Sequence, residues 1–144
     1  MLQQHIDVPW SIFENRSESN IQSTLYYASF SGLLLAVQGL VKTEVDVNMQ
    51  GGTYGNALQA ASYGGHEAIV GLLLEKGANV NAQGGECGNA LCAASQRGHE
   101  AIVDLLLERG ADVNTQGGKY GNALQAAIFI NKTYNKLSYC KVYF

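Results

Sequence analysis

A unit of 33 residues that recurs along the chain restricts this sequence to one kind of architecture. Residues 55–87 and 88–120 align without a gap and are identical at 24 of 33 positions. The same spacing finds a degenerate first unit at about residues 22–54 and the opening of a fourth at 121–130. Because one unit cannot bury its apolar side chains alone, successive units must stack around a shared core. The sequence therefore predicts a solenoid in which each repeat contacts only its neighbours.

Each clean unit is predicted to fold as helix, turn, helix and loop. In the first of them, the apolar spacing places the helices at residues 57–63 and 66–76. Asn56 and Asn89 stand before the first helix, where an Asn side chain accepts unpaired backbone N–H groups. Helices commonly end at a glycine in the left-handed conformation. The glycines predicted to do so are Gly65, Gly77, Gly98 and Gly110.

The residue types at fixed positions resemble a known family. Both clean units share a leucine, an alanine, a Gly-His pair and a closing Gly-Ala-x-Val-Asn; in the first unit these include Leu58, Ala61, Gly65, His66, Gly77, Ala78, Val80 and Asn81. This pattern resembles the ankyrin repeat over about residues 22–130. The resemblance implies an all-α solenoid of helix-turn-helix units with hairpin-like loops, three repeats plus a partial fourth. It also implies a module that binds another protein.

The chain departs from the family pattern at the start of each first helix. Where the family has Thr-Pro-Leu-His, this chain has Asn56-Ala57-Leu58-Gln59 and Asn89-Ala90-Leu91-Cys92. Asn keeps the cap, but the family's Thr–His hydrogen bond is expected to be lost. His66 and His99 are interpreted as structural, because the resemblance implies hydrogen bonds that hold the turn together. A catalytic histidine, in contrast, would need one nucleophile partner and not a copy every 33 residues.

The amino-acid sequences of residues 78–85 and 54–62 also resemble those of the near-identical ankyrin arrays of fungal proteins. There the array commonly follows a NACHT-type nucleotide-binding switch domain, which implies a sensing role in non-self recognition. These 144 residues hold no such switch domain. The alternative function is therefore that of a detached sensor array.

Charge and motif content exclude several other functions. The net charge of −3 is spread along the chain, without the basic cluster that nucleic-acid binding needs. The apolar runs are too short to span a bilayer. Cys87, Cys92 and Cys140 form neither a disulfide framework nor a zinc-type pair. We therefore expect a cytoplasmic protein, with the nucleus left open, that has no catalytic residue, cofactor, metal or small-molecule substrate.

Variation between the clean units indicates where a partner would bind. Several of the nine differing positions fall at the end of the first helix and at the loop tip. By resemblance, these places line the concave groove of an ankyrin stack, and Tyr and Arg are favoured interface anchors. The partner-contact candidates are Phe30, Thr53, Tyr54, Tyr63, Glu86, Gln96, Arg97, Lys119 and Tyr120. The alternative is neutral drift at exposed positions.

The two ends do not follow the repeat. Residues 1–21, with the only proline and the only tryptophan, are interpreted as a leader or linker. Residues 131–144 lack the second helix of a complete fourth repeat and are interpreted as an irregular tail. Their periodicity leaves both a poor helix and a short strand open.

Overall fold

Stacked pairs of short helices make up the part of the chain that the computed structural model describes, residues 23–130. The predictions for the leader and for the tail lie outside the described residues. Seven helices follow one another: α1 (23–31), α2 (Leu34–Leu40), α3 (Ala57–Gly64), α4 (Glu67–Glu75), α5 (Ala90–Arg97), α6 (Glu100–Glu108) and α7 (Ala123–Ile130). The predicted all-α solenoid is confirmed, with isolated bridges and no strand in this range.

The helices form two layers. The first helices α3, α5 and α7 pack side by side, and the second helices α2, α4 and α6 form what we call the second-helix layer. Between the layers runs one core, in which Leu58 and Leu91 of the first helices meet Leu73 and Leu106 of the second. All four side chains are at most 1% exposed. Each internal repeat therefore depends on both neighbours for burial.

Local capping sets the limits of α3. The Asn56 Oδ1 atom accepts the Gln59 backbone N–H at 3.0 Å, and Gln59 Oε1 accepts the Asn56 N–H at 2.8 Å. This reciprocal pair satisfies two N–H groups of the first turn. It takes the place of the Thr–His hydrogen bond whose loss the sequence suggested. As predicted, Gly65 ends the helix, at φ +83°, and the last helical residue, Gly64, lies one residue beyond the predicted limit.

A hairpin-like turn follows each second helix, as predicted. The N–H of Gly84 donates to the carbonyl of Gly88 at 2.8 Å. Equivalent bonds of 2.6 Å close the preceding and the following loops, from Gly51 to Gly55 and from Gly117 to Gly121. Three loops closed by the same hydrogen bond therefore follow one another along the solenoid.

Asparagine side chains join the loops of adjacent repeats. Asn48 donates to the carbonyl of Gly77 at 3.2 Å and accepts the N–H of Asn79 at 2.7 Å. One repeat further on, Asn81 makes the same two bonds, with Gly110 at 3.1 Å and Asp112 at 2.8 Å. Each asparagine thus holds the end of the next repeat's second helix.

The histidines also join repeats. The Nε2 atom of His66 lies 2.9 Å from the carbonyl oxygen of Phe30, and that of His99 lies 3.1 Å from the carbonyl oxygen of Tyr63. Each ring crosses to the first helix of the preceding repeat. The structure therefore gives both histidines a structural contact at a repeat boundary.

In the second repeat, the fourth residue of the capping sequence also holds the loop that follows. The Gln59 amide donates to the carbonyls of Ala82, Gly84 and Gly88 at 3.0–3.2 Å. In the first repeat the equivalent position is Tyr26, whose hydroxyl accepts the N–H of Tyr54 at 3.1 Å. In the third it is Cys92, whose thiol has no amide group to span the loop.

Candidate partner-binding surface

Three aromatic rings from two repeats lie stacked at the ends of the first helices. The Phe30 and Tyr54 ring centres are 5.4 Å apart with an interplanar angle of 15°, and those of Tyr54 and Tyr63 are 4.0 Å apart at 18°. Phe30 comes from α1, Tyr54 from the following loop and Tyr63 from the last turn of α3. The loop therefore inserts its ring between two helix ends, and Phe30 remains 36% exposed.

The stack continues into the third repeat through a cation. The Arg97 Cζ atom, in the last turn of α5, lies 4.9 Å from the centre of the Tyr63 ring. A guanidinium over an aromatic face is attracted by the ring's quadrupole. One strip of side chains therefore crosses two repeat boundaries.

Beside this strip lies a second group that is more polar. Gln96 Nε2 donates to the Tyr120 hydroxyl at 3.1 Å, and its Oε1 accepts from the Cys87 thiol at 3.0 Å. The Lys119 ammonium lies 5.7 Å from the Tyr120 ring centre. Gln96 thus occupies the place in its repeat that Tyr63 holds in the one before.

The loop tips are joined by their backbones. Glu86 donates its N–H to the Thr53 carbonyl at 3.0 Å, and Lys119 donates its N–H to the Glu86 carbonyl at 2.7 Å. All three side chains are exposed. We call the surface made by the strip, the polar group and these tips the tip face: Phe30, Thr53, Tyr54, Tyr63, Glu86, Gln96, Arg97, Lys119 and Tyr120, with the buried Cys87 beneath it.

All nine partner-contact candidates from the sequence lie on the tip face, and their role as contacts remains a prediction. The candidates assigned to structure are found at helix ends and repeat boundaries. The sequence did not predict the hydrogen bond between Cys87 and Gln96, and the role of Gln59 in holding the loop was missed. The recurring Asn-x-x-Gln spacing, seen also at Asn122 and Gln125, is the signal that could have found the latter.

Charge is distributed unevenly between the tip face and the rest of the described chain. The tip face carries Arg97, Lys119 and a single acidic residue, Glu86. The remaining described charges comprise eight acidic and three cationic residues, all in the second-helix layer or shortly after one of its helices: Lys42, Glu44, Asp46, Glu67, Glu75, Lys76, Glu100, Asp104, Glu108, Arg109 and Asp112. The tip face therefore has a net charge of +1, whereas the remaining described residues have a net charge of −5.

Hydrogen bonding and burial change the titration of several groups on this surface and beneath it. Hydrogen bonding to the Tyr63 side chain, with burial second, raises the pKa of Tyr54 to about 12. Burial raises the pKa of the Cys87 thiol to about 11 and that of Cys92 to about 12. A thiol with so high a pKa holds little of the reactive thiolate at neutral pH. At neutral pH the tip face therefore offers a partner aromatic stacking, hydrogen bonds and ionic contacts, with little reactive thiolate at Cys87 or Cys92.

Neither a metal site nor a membrane-spanning helix is found among residues 23–130. In that range no three His, Cys, Asp or Glu side chains come together in a way that could hold an ion. None of the helices there has the length and apolar character needed to cross a bilayer.

The fold and this surface define a class of protein, the helical repeat solenoids that display variable side chains on a regular scaffold. A family model described as "Ankyrin repeats (3 copies)" matches residues 24–117, well over half of the chain. The chain therefore belongs to the ankyrin repeat family. Ankyrin repeats are generally protein–protein interaction modules with a non-catalytic fold. A search of curated proteins found no match.

Proposed function

We propose that this chain is a non-catalytic recognition module that binds a protein partner through the tip face. The observation that carries the proposal is where the two nearly identical repeats differ in chemistry. On the tip face, Tyr63 becomes Gln96, Gly64 becomes Arg97, and the acidic Glu86 becomes the basic Lys119. A surface used for recognition is expected to vary in this way while its scaffold stays constant.

Differences elsewhere are mostly conservative or structural. On the second-helix layer, Lys76 becomes Arg109, and in the loop after it Asn79 becomes Asp112. The replacement of Gly71 by Asp104 in the second helix is the one larger change there. Drift acting equally on all exposed positions would not favour the tip face.

Affinity capture from a lysate of the source organism tests the proposal. The variant Tyr63→Ala/Gln96→Ala/Arg97→Ala removes the centre of the tip face. The matched control Glu75→Ala/Lys76→Ala/Glu108→Ala changes three exposed residues of the second-helix layer. A partner held by wild type and control but lost by the tip-face variant supports the proposal, provided that all three chains melt alike. A partner held equally by all three contradicts it.

The alternative function is a detached sensor array of a fungal NACHT-type non-self recognition protein, without its switch domain, acting in the cytoplasm. The identity of 24 of 33 positions between adjacent repeats favours it, because near-identical arrays are the feature that the resemblance rests on. Sequencing the genomic locus on both sides of this segment tests it. A separate coding sequence for a nucleotide-binding switch domain beside the array would support the detached sensor, and its absence there would leave the recognition module alone.

A further inference from the structure

The chemistry of the tip face narrows the kind of partner. Resting on the proposed function, we propose that the partner presents an extended acidic segment with one aromatic or aliphatic anchor. The anchor packs on the rings of Phe30, Tyr54 and Tyr63, and the carboxylates of the segment bind Arg97 and Lys119.

Charge complementarity is the first argument. The tip face, with two cations and one carboxylate, has a net charge of +1 and attracts an acidic segment. The second-helix layer and its connections, with eight acidic and three cationic residues, have a net charge of −5 and repel it. Long-range attraction and repulsion would therefore steer the segment to one side of the solenoid.

The position of Arg97 is the second argument. Its side chain is exposed at the end of α5, and its guanidinium lies over the Tyr63 ring, with the Cζ atom 4.9 Å from the ring centre. A stacked guanidinium keeps its N–H groups at the edge of the plane, where they can bind a carboxylate through two parallel hydrogen bonds. The ring contact also limits the side-chain freedom that binding would otherwise have to remove. The exposed Arg97 guanidinium is thus held where it can bind a carboxylate of the partner.

The anchor site adjoins this cation. Tyr63 contacts Tyr54 on one side, with ring centres 4.0 Å apart, and the Arg97 guanidinium also lies over its ring. Phe30 extends the aromatic platform by one more ring. Because platform and guanidinium share Tyr63, one short segment can engage both.

A nucleic acid is the weaker occupant for this surface. Phosphate chains need Lys and Arg clustered on one face, and here two cations are accompanied by Glu86 on the middle loop tip. An acidic peptide needs only as many carboxylates as there are cations. The aromatic rings can stack on bases as well, so an oligonucleotide serves as a competitor in the test.

Selection from a random peptide display library against the full chain tests the proposal. Selected peptides should combine Asp or Glu with Trp, Phe or Leu, and selection against Arg97→Glu/Lys119→Glu should favour Lys and Arg instead. A peptide selected on the wild-type chain should bind the Arg97→Glu/Lys119→Glu variant about tenfold more weakly than it binds wild type. Its affinity for the wild-type chain should fall as the salt concentration is raised. The control Lys76→Glu/Arg109→Glu makes the same charge change at the ends of α4 and α6, and it should bind as wild type does.

The other outcomes separate this inference from the proposed function. Peptides that need Tyr63 but show no acidic enrichment overturn the acidic segment and leave the tip face as a binding surface. Peptides that ignore every tip-face substitution overturn both. A library that yields no binder, or a single-stranded oligonucleotide that displaces the selected peptide at equal concentration, overturns the acidic segment, and the lysate capture then decides the proposed function alone.

Discussion

The His99 ring binds the main-chain carbonyl of Tyr63, 3.1 Å away in the preceding repeat. Tyr63 therefore has two separate roles: its backbone holds two repeats together, and its side chain lies in the aromatic strip of the tip face. A substitution of the side chain leaves the carbonyl in place. Stability and recognition at this position can therefore be measured independently.

Removing the histidine should weaken the repeat boundary. We expect His99→Ala to lower the free energy of unfolding by about 1–2 kcal/mol, because the Tyr63 carbonyl loses its partner. Urea denaturation followed by circular dichroism measures this. Glu75→Ala, at an exposed position, serves as the control and should stay within about 0.5 kcal/mol of wild type. Equal effects of the two substitutions would contradict a structural role for His99.

Two glycines with similar backbones should respond differently to alanine. Gly65 and Gly77 both have positive φ, +83° and +90°, so alanine should cost each about 1–2 kcal/mol. A Cβ on Gly65 would also lie 2.6 Å from the His99 ring, whereas one on Gly77 meets nothing within 4 Å. We therefore expect Gly65→Ala to lower the melting temperature more than Gly77→Ala. Adding His99→Ala should recover part of that excess, and equal losses from the two single substitutions would refute the close packing.

Exchanging the residues at the equivalent positions 59 and 92 should remove the loop hydrogen bonds of the second repeat and create them in the third. Gln59→Cys should lower the free energy of unfolding by about 1–3 kcal/mol, because three carbonyls lose their donor. Cys92→Gln should raise it by about 1 kcal/mol, because the third repeat would gain the same contacts in a nearly identical setting. Chemical denaturation of both variants measures the two signs. A loss of stability in Cys92→Gln would show that the third repeat lacks room for the amide.

The buried thiols should make stability fall at high pH. Burial raises the pKa of Cys87 to about 11 and that of Cys92 to about 12, above the ordinary value of 9.0. Between pH 9 and these values the unfolded chain releases thiol protons that the folded chain keeps, so unfolding becomes more favourable as pH rises. In a Cys140→Ser background, denaturation at several pH values should show this decline. Cys87→Ala/Cys92→Ala should make it shallower, and an unchanged slope would count against the raised values.

Helix limits could be predicted because their causes are local. The cap at Asn56 and the left-handed Gly65 both act within a few residues of sequence, and the predicted helix at 57–63 differs from the observed one by a single residue. His66 and Lys76, predicted as helical, stand as the caps of α4. Because the repeats are nearly identical, each helix limit predicted in one repeat also applies at the equivalent position of the next.

Contacts between repeats could not be predicted in the same way. The three carbonyls that Gln59 binds lie 23–29 residues further on, and they converge only when the loop folds beneath the helix. The stacking of Tyr54 between Phe30 and Tyr63 likewise depends on how the repeats are offset. Comparing equivalent positions of successive repeats placed these residues on one surface. It could not give their contacts, nor show that the tip face and the second-helix layer differ in charge.

The pairing of Thr53, Glu86 and Lys119 through main-chain groups has an evolutionary consequence. The hydrogen bonds that position each loop tip do not involve its side chain, so mutation can replace that side chain while the tip stays in place. A new specificity could then arise by single substitutions, or by exchange of whole repeats through unequal recombination between their similar coding sequences. Selection would then act on the loop-tip side chains alone, while the backbone that positions them is inherited unchanged.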